Sequence, residues 1–191
     1  RLASSAARDD REQLVRLSKH SDRQRVESAA TKLMYFKGKP RAYDTLKTLA
    51  KTHSDQAVRA KAFGALMVQT DRDKKNVKFM EEAFDEEKSA YVKAWVAGYL
   101  GSLGSKKGLT FCRDALRNKD LSGEGRAVQM RAAMAAGRIG DAALIPDLEA
   151  VANSSDSGPA GWEARVAIKA IALKNLPSVR AKVEYLNTLL E

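Results

Sequence analysis

One pattern returns five times along this chain of 191 residues, anchored at Val26, Val58, Val92, Val128 and Ala164 with spacings of 32, 34, 36 and 36. A recurrence at that period, with helical patterning inside each copy, is the mark of stacked helical hairpins, where each unit buries its apolar face only against its neighbours. Aligning the copies separates core from surface. Four residues past the anchor stand Ala30, Ala62, Val96, Ala132 and Ile168; seven past it, Leu33, Ala65, Tyr99, Ala135 and Ile171; eight past it, Met34, Leu66, Leu100, Ala136 and Ala172. Offsets of 4, 7 and 8 share one face of an α-helix, so these columns predict a continuous core in which alanines let neighbouring helices approach closely.

Helical periodicity runs from Asp9 onward without strand-like alternation. It gives eleven helices near residues 9–19, 22–37, 41–52, 55–69, 73–84, 87–103, 106–117, 124–138, 142–152, 160–174 and 177–190. The expected fold is therefore all-α, a right-handed α–α superhelix of about five helical hairpins with a C-terminal capping helix, forming one domain over residues 1–191. Ser21-Asp22 and Ser54-Asp55 offer side-chain oxygens to the free N–H groups of a new helix. Gly38-Lys39-Pro40, Gly104-Ser105, Gly140-Asp141 and Leu176-Pro177 stand where helices must end. The segments Asn118 to Gly125 and Asn153 to Gly161 read as longer exposed loops.

The fourth unit, Ala135-Ala136-Gly137-Arg138-Ile139-Gly140-Asp141 followed by Leu144-Ile145-Pro146-Asp147-Leu148, resembles the HEAT-repeat family in the short, alanine-rich form frequent in bacterial proteins. Val58-Arg59 with Asp71, and Val92-Lys93 with Gly101 and Gly104, resemble it more loosely. That resemblance covers roughly residues 22–176 and implies a non-catalytic scaffold or adaptor for protein–protein interaction. The family's basic residue after the anchor is matched by Arg59, Lys93 and Arg165, whereas Glu27 and Gln129 depart from it, so no unbroken basic ladder is expected.

The formal net charge is +10, and it is unevenly placed. Residues 1–61 hold 15 Lys and Arg against 7 Asp and Glu, leaving 19 against 17 for the remainder. Such a field suits an acidic protein partner or, as the alternative, nucleic acid bound through the basic N-terminal units. The single Cys112 lies in the run Leu109-Thr110-Phe111-Cys112 and reads as a packed thiol. No segment reaches the roughly 18 apolar residues of a membrane span. Since the chain starts at Arg1, a leader, lipid anchor or upstream domain can precede it. The compartment is open, with the cytoplasm favoured over an exported or anchored form.

Catalytic constellations are lacking. The iron-holding relatives of this architecture carry paired His-Glu motifs, but both histidines here, His20 and His53, are followed by serine. Two histidines and one cysteine supply too few soft ligands for a common zinc site, and no cofactor is expected. Binding residues come from the columns outside the core. Three and ten residues past the anchor share a face, and in such stacks second helices line the inner curve. This predicts a concave stripe of Lys61, Trp95, Arg131 and Arg138, joined by Lys32. Its cations would meet carboxylate or phosphate, with Trp95 either an aromatic anchor or a core side chain. The acidic run Glu81-Glu82 and Asp85-Glu86-Glu87 reads as solvated charge at a turn, or as a contact for a basic partner.

Overall fold

The computed structural model describes residues 2–69, 74–120, 122–156 and 158–188, with side chains from residue 10 in the first stretch and from residue 76 in the second. Asp71 lies outside them. The described residues form eleven α-helices and no strand, in the all-α solenoid arrangement of hairpins. They gather into two compact units, residues 1–96 and 97–191.

The first unit contains α1 (Leu2–Leu17), α2 (Arg23–Leu33), α3 (Pro40–Thr52), α4 (Gln56–Gln69), α5 (Lys74–Glu86) and the opening turns of α6 (Ala90–Ser102). Helix α3 packs on α4, and α4 packs on α2, so successive second helices touch. Aspartates rather than serines start α2 and α4. Asp22 accepts from the Gln24 and Arg25 N–H groups at 2.8 and 3.2 Å, and Asp55 from Ala57 and Val58 at 2.7 and 3.3 Å. His20 and His53 occupy equivalent turns, each using Nδ1 to accept the backbone N–H of the capping aspartate. Both histidines are thus turn residues.

The second unit contains the rest of α6, then α7 (Leu109–Arg117), α8 (Gly123–Ile139), α9 (Ile145–Ala152) after a single 3₁₀ turn at Ala142–Leu144, α10 (Gly158–Asn175) and α11 (Val179–Thr188). Helix α8 packs on α7 and α10, and α10 on α9. Gly140 ends α8 at φ 75°, the left-handed conformation that glycine adopts without strain. No residue of α11 is buried.

All five anchors are buried, as are the columns at four, seven and eight, except Ile168, Met34 and Ala172, which are half-buried. The core therefore follows the sequence register. Boundaries differ at several places, α6 and α7 each starting three residues later than expected, at Ala90 and Leu109. Helix α1 begins seven residues before the expected Asp9, because the Ala-rich start is helical by propensity without an apolar stripe. Helix α2 stops at Leu33, where Tyr35 and Phe36 bond to carbonyls three residues back and tighten the chain ahead of Gly38. Helices α8 and α10 start earlier, at Gly123 and Gly158, and shorten the two long loops.

Candidate partner-binding surfaces

The five residues of the expected stripe divide between the units. In the first, Lys32 on α2 and Lys61 on α4 are exposed, and neither forms an ion pair among the described residues. Trp95 on α6 is half-buried with its indole nitrogen shielded from solvent. In the second unit Arg131 and Arg138 both stand on α8 and are half-buried. Arg131 Nη1 lies 3.2 Å from Met134 Sδ, and the Arg138 guanidinium sits 5.8 Å from the centre of the Tyr99 ring. The column three past the anchor is not uniformly a surface column, since Ala29 and Ala167 are buried. Helical offset alone cannot reveal this, because a hairpin's first helix covers part of the second helix's far side.

The position after the anchor has a different task from the one its charge suggested. Arg59 Nη1 donates to the His53 and Ser54 carbonyls at 2.8 and 2.9 Å, at the end of α3. Arg165 Nη1 donates to Ala152 O at 2.9 Å, at the end of α9, and Gln129 Nε2 donates to Leu116 O at 3.1 Å, near the end of α7. In each case a second-helix side chain satisfies carbonyls left unpaired where the same hairpin's first helix stops. Gln129 departs from the basic pattern in charge but keeps the donor. Lys93 lies over the Phe84 ring at 5.4 Å, and Glu27 accepts from Arg23 at 2.6 Å.

A second position, eleven past the anchor, ties two of the units to the preceding one. Gln69 Nε2 donates to Leu33 O at 2.5 Å, and Asn175 Nδ2 to Gly140 O at 3.0 Å. Beside Asn175, Lys174 donates to the Arg138 and Ile139 carbonyls at 3.2 and 2.9 Å. The ends of α2 and α8 are thereby capped by the next second helix. The sequence signal for these contacts was only a polar residue beside a buried one.

The acidic run is partly internal. Glu87, with 7% of its side chain exposed, forms a two-pronged pair with Arg59 at 2.9 Å for both contacts, and its Oε1 also accepts the Lys88 and Ser89 N–H groups. Burial alone would push the Glu87 carboxyl up, but hydrogen bonds from Arg59 and Ser89 outweigh it and hold the group below the usual range. Glu86 pairs with Lys51 at 2.9 Å, and Glu82 approaches Lys78 at 3.9 Å. Cys112 is fully buried, which raises its thiol to about 12 and leaves it a packing residue.

Among the described residues no helix is long and apolar enough to cross a membrane. The family model for HEAT repeats matches residues 77–172, just over half of the chain. No curated protein matches it.

Proposed function

The chain belongs to the HEAT-repeat family, and from that premise we propose that it is a non-catalytic adaptor that binds an acidic face of a partner protein through exposed second-helix cations, Lys32 and Lys61 foremost. HEAT repeats generally serve as protein-interaction scaffolds and are typically non-catalytic. The observation that carries the reading is the state of these two lysines. They project from neighbouring second helices, α2 and α4, and among the described residues no carboxylate neutralises them. Arg131 and Arg138 are secondary candidates, because the first is near Met134 and the second lies over Tyr99. Trp95 contributes its exposed edge. The reading treats residues 1–191 as one solenoid domain, since the 34- and 36-residue spacings continue through α6.

Affinity capture from the source organism's lysate tests it, comparing wild type with Lys32→Glu/Lys61→Glu. Partners that bind the wild type should be lost from the variant and released by moderate salt. If the same proteins bind both equally, the lysine surface is not the interface. Nucleic acid is the second reading, favoured by Tyr35, 74% exposed between the exposed Lys32 and Lys39. Stacking on an aromatic beside lysines suits single strands. An affinity for a labelled oligonucleotide that falls with salt at a logarithmic slope of about 0.9 per phosphate would favour this reading over a protein partner.

A further inference from the structure

A cavity of about 260 Å³ lies in the first unit, between the end of α3, the first turns of α4 and the end of α5. Ala50, Phe63 and Ala83 give it an apolar wall. Its volume is below that of most small-molecule sites, roughly 300–1,000 Å³, and suits one inserted side chain. The polar groups around it decide which.

Arg59 lines the cavity in a fixed pose. Of the five N–H groups of a guanidinium, four are engaged, two by Glu87 and two by the His53 and Ser54 carbonyls. One remains. His53 also lines the cavity, and its Nδ1 accepts the Asp55 N–H at 3.1 Å, so the proton of the neutral ring resides on Nε2, a donor. Lys88, exposed at the edge, forms no ion pair among the described residues. The acceptors are largely spent. Both oxygens of Glu87 are hydrogen-bonded, and Glu86 is held by Lys51 at the rim. What the cavity mainly offers is therefore donors: one guanidinium N–H and one imidazole N–H, both fixed by their other bonds, with the Lys88 ammonium and the Lys51 N–H groups not given to Glu86 at the edge.

We propose that this cavity is a carboxylate pocket that receives a glutamate or aspartate side chain of the partner protein, its methylenes against Ala50, Phe63 and Ala83 and its oxygens on Arg59, His53 and Lys88. The proposal deepens the adaptor reading and rests on it. A monoanion fits better than a phosphate dianion, because Glu86 and Glu87 stand at the same cavity and repel the second charge. The fixed Arg59 loses little freedom on binding, which favours selectivity over a flexible surface lysine.

Titration of the whole chain with N-acetyl-glutamate N-methylamide, followed by ¹H–¹⁵N NMR, tests the pocket without needing the partner. Saturable shifts should appear at Lys88, Ser89 and the Arg59 Nε–H, with a Kd of order 1–10 mM, as expected for a single contact. Lys88→Gln should weaken binding at least threefold, and Ala83→Met, which fills the cavity without altering charge, should abolish it. The isosteric glutamine analogue should leave those signals unmoved. Equal shifts from the glutamine analogue, tighter binding of methyl phosphate, or shifts that are unsaturable and spread over all lysines would each overturn the proposal. If the fragment fails while capture still depends on Lys32 and Lys61, the pocket falls and the adaptor reading stands. Fragment binding with partner capture indifferent to those lysines would sink the lysine interface instead.

Discussion

The two units hold the same repeat together by different means. In the first, the helices carry bulky side chains, with Phe63, Phe79, Met80 and Phe84 buried, and are joined by ion pairs: Arg59 to Glu87, Lys51 to Glu86, Arg23 to Asp55. The second has ion pairs too, Arg117 and Arg113 to Asp147 and Lys106 to Asp141, but its central helix is small: α8 buries Ala132, Ala133, Ala135 and Ala136, and glycines allow backbones to meet. A Cβ added at Gly101 would stand 2.6 Å from the Ile139 nitrogen, and one at Gly137 would stand 3.1 Å from the Ala167 Cα. Close backbone contact leaves little room between helices. Large side chains keep helices apart, and in the first unit they frame a cavity with donors at its edge. The difference teaches that binding capacity in such a stack depends on how neighbouring helices are spaced, and not on the repeat itself.

If that contrast is right, the largest loss in the first unit comes from Arg59→Ala. It strands the buried Glu87 and uncaps α3, and should cost about 3 kcal/mol by chemical denaturation. Adding Glu87→Gln should recover part of it, since the stranded charge disappears. A cost under about 1 kcal/mol would mean that packing alone holds this unit. The matching substitution in the second unit is Gly101→Ala, which should cost about 2 kcal/mol although alanine gains nearly 1 kcal/mol of helix propensity. At Gly137 the clash is milder, so Gly137→Ala should be close to neutral. Thermal melts that rank the two glycines the other way would break the close-packing account.

Much of this could be read from the chain, and the part that could not has a physical reason. The anchors and core columns depend on spacing within one helix, which the sequence displays directly. Surface assignment depends on what covers a helix, so Ala29 and Ala167, aligned with Lys61, are buried. Pairing was harder still: Arg59 meets Glu87 across 28 positions, and Lys174 meets Arg138 across 36. Arg59 was visible as a family-like basic residue, yet its partners follow from hairpin geometry, and four of its five N–H groups are used inside the unit. The exposure of Lys32 and Lys61 was legible, because among the described residues no carboxylate pairs with either.

A smaller effect tests whether the capping column works alike in both units. Gln129→Ala removes a neutral donor from the end of α7 and should cost about 1 kcal/mol, less than Arg59→Ala because no charge is left behind. Gln129→Arg should retain most of the stability, as Arg165 performs the same task with a guanidinium. If Gln129→Ala equals Arg59→Ala, the ion pair adds nothing to the cap.

The smallest expected effect is in acid, and its direction is fixed by Glu87. Its folded carboxyl titrates below the ordinary 4.5, so folding keeps it ionised where the unfolded chain would begin to bind a proton. Its contribution is fully present above that ordinary value and is lost as pH falls through the folded one. Wild type and Glu87→Gln, compared by denaturation from pH 7 downward, should therefore converge only below about pH 4, where the wild type loses the advantage that the variant never had. Gly101→Ala, whose defect involves no titrating group, should run parallel to wild type over the same range. Convergence near neutral pH would mean that Arg59 does not hold Glu87 ionised, and the cap would then be the whole of what Arg59 contributes.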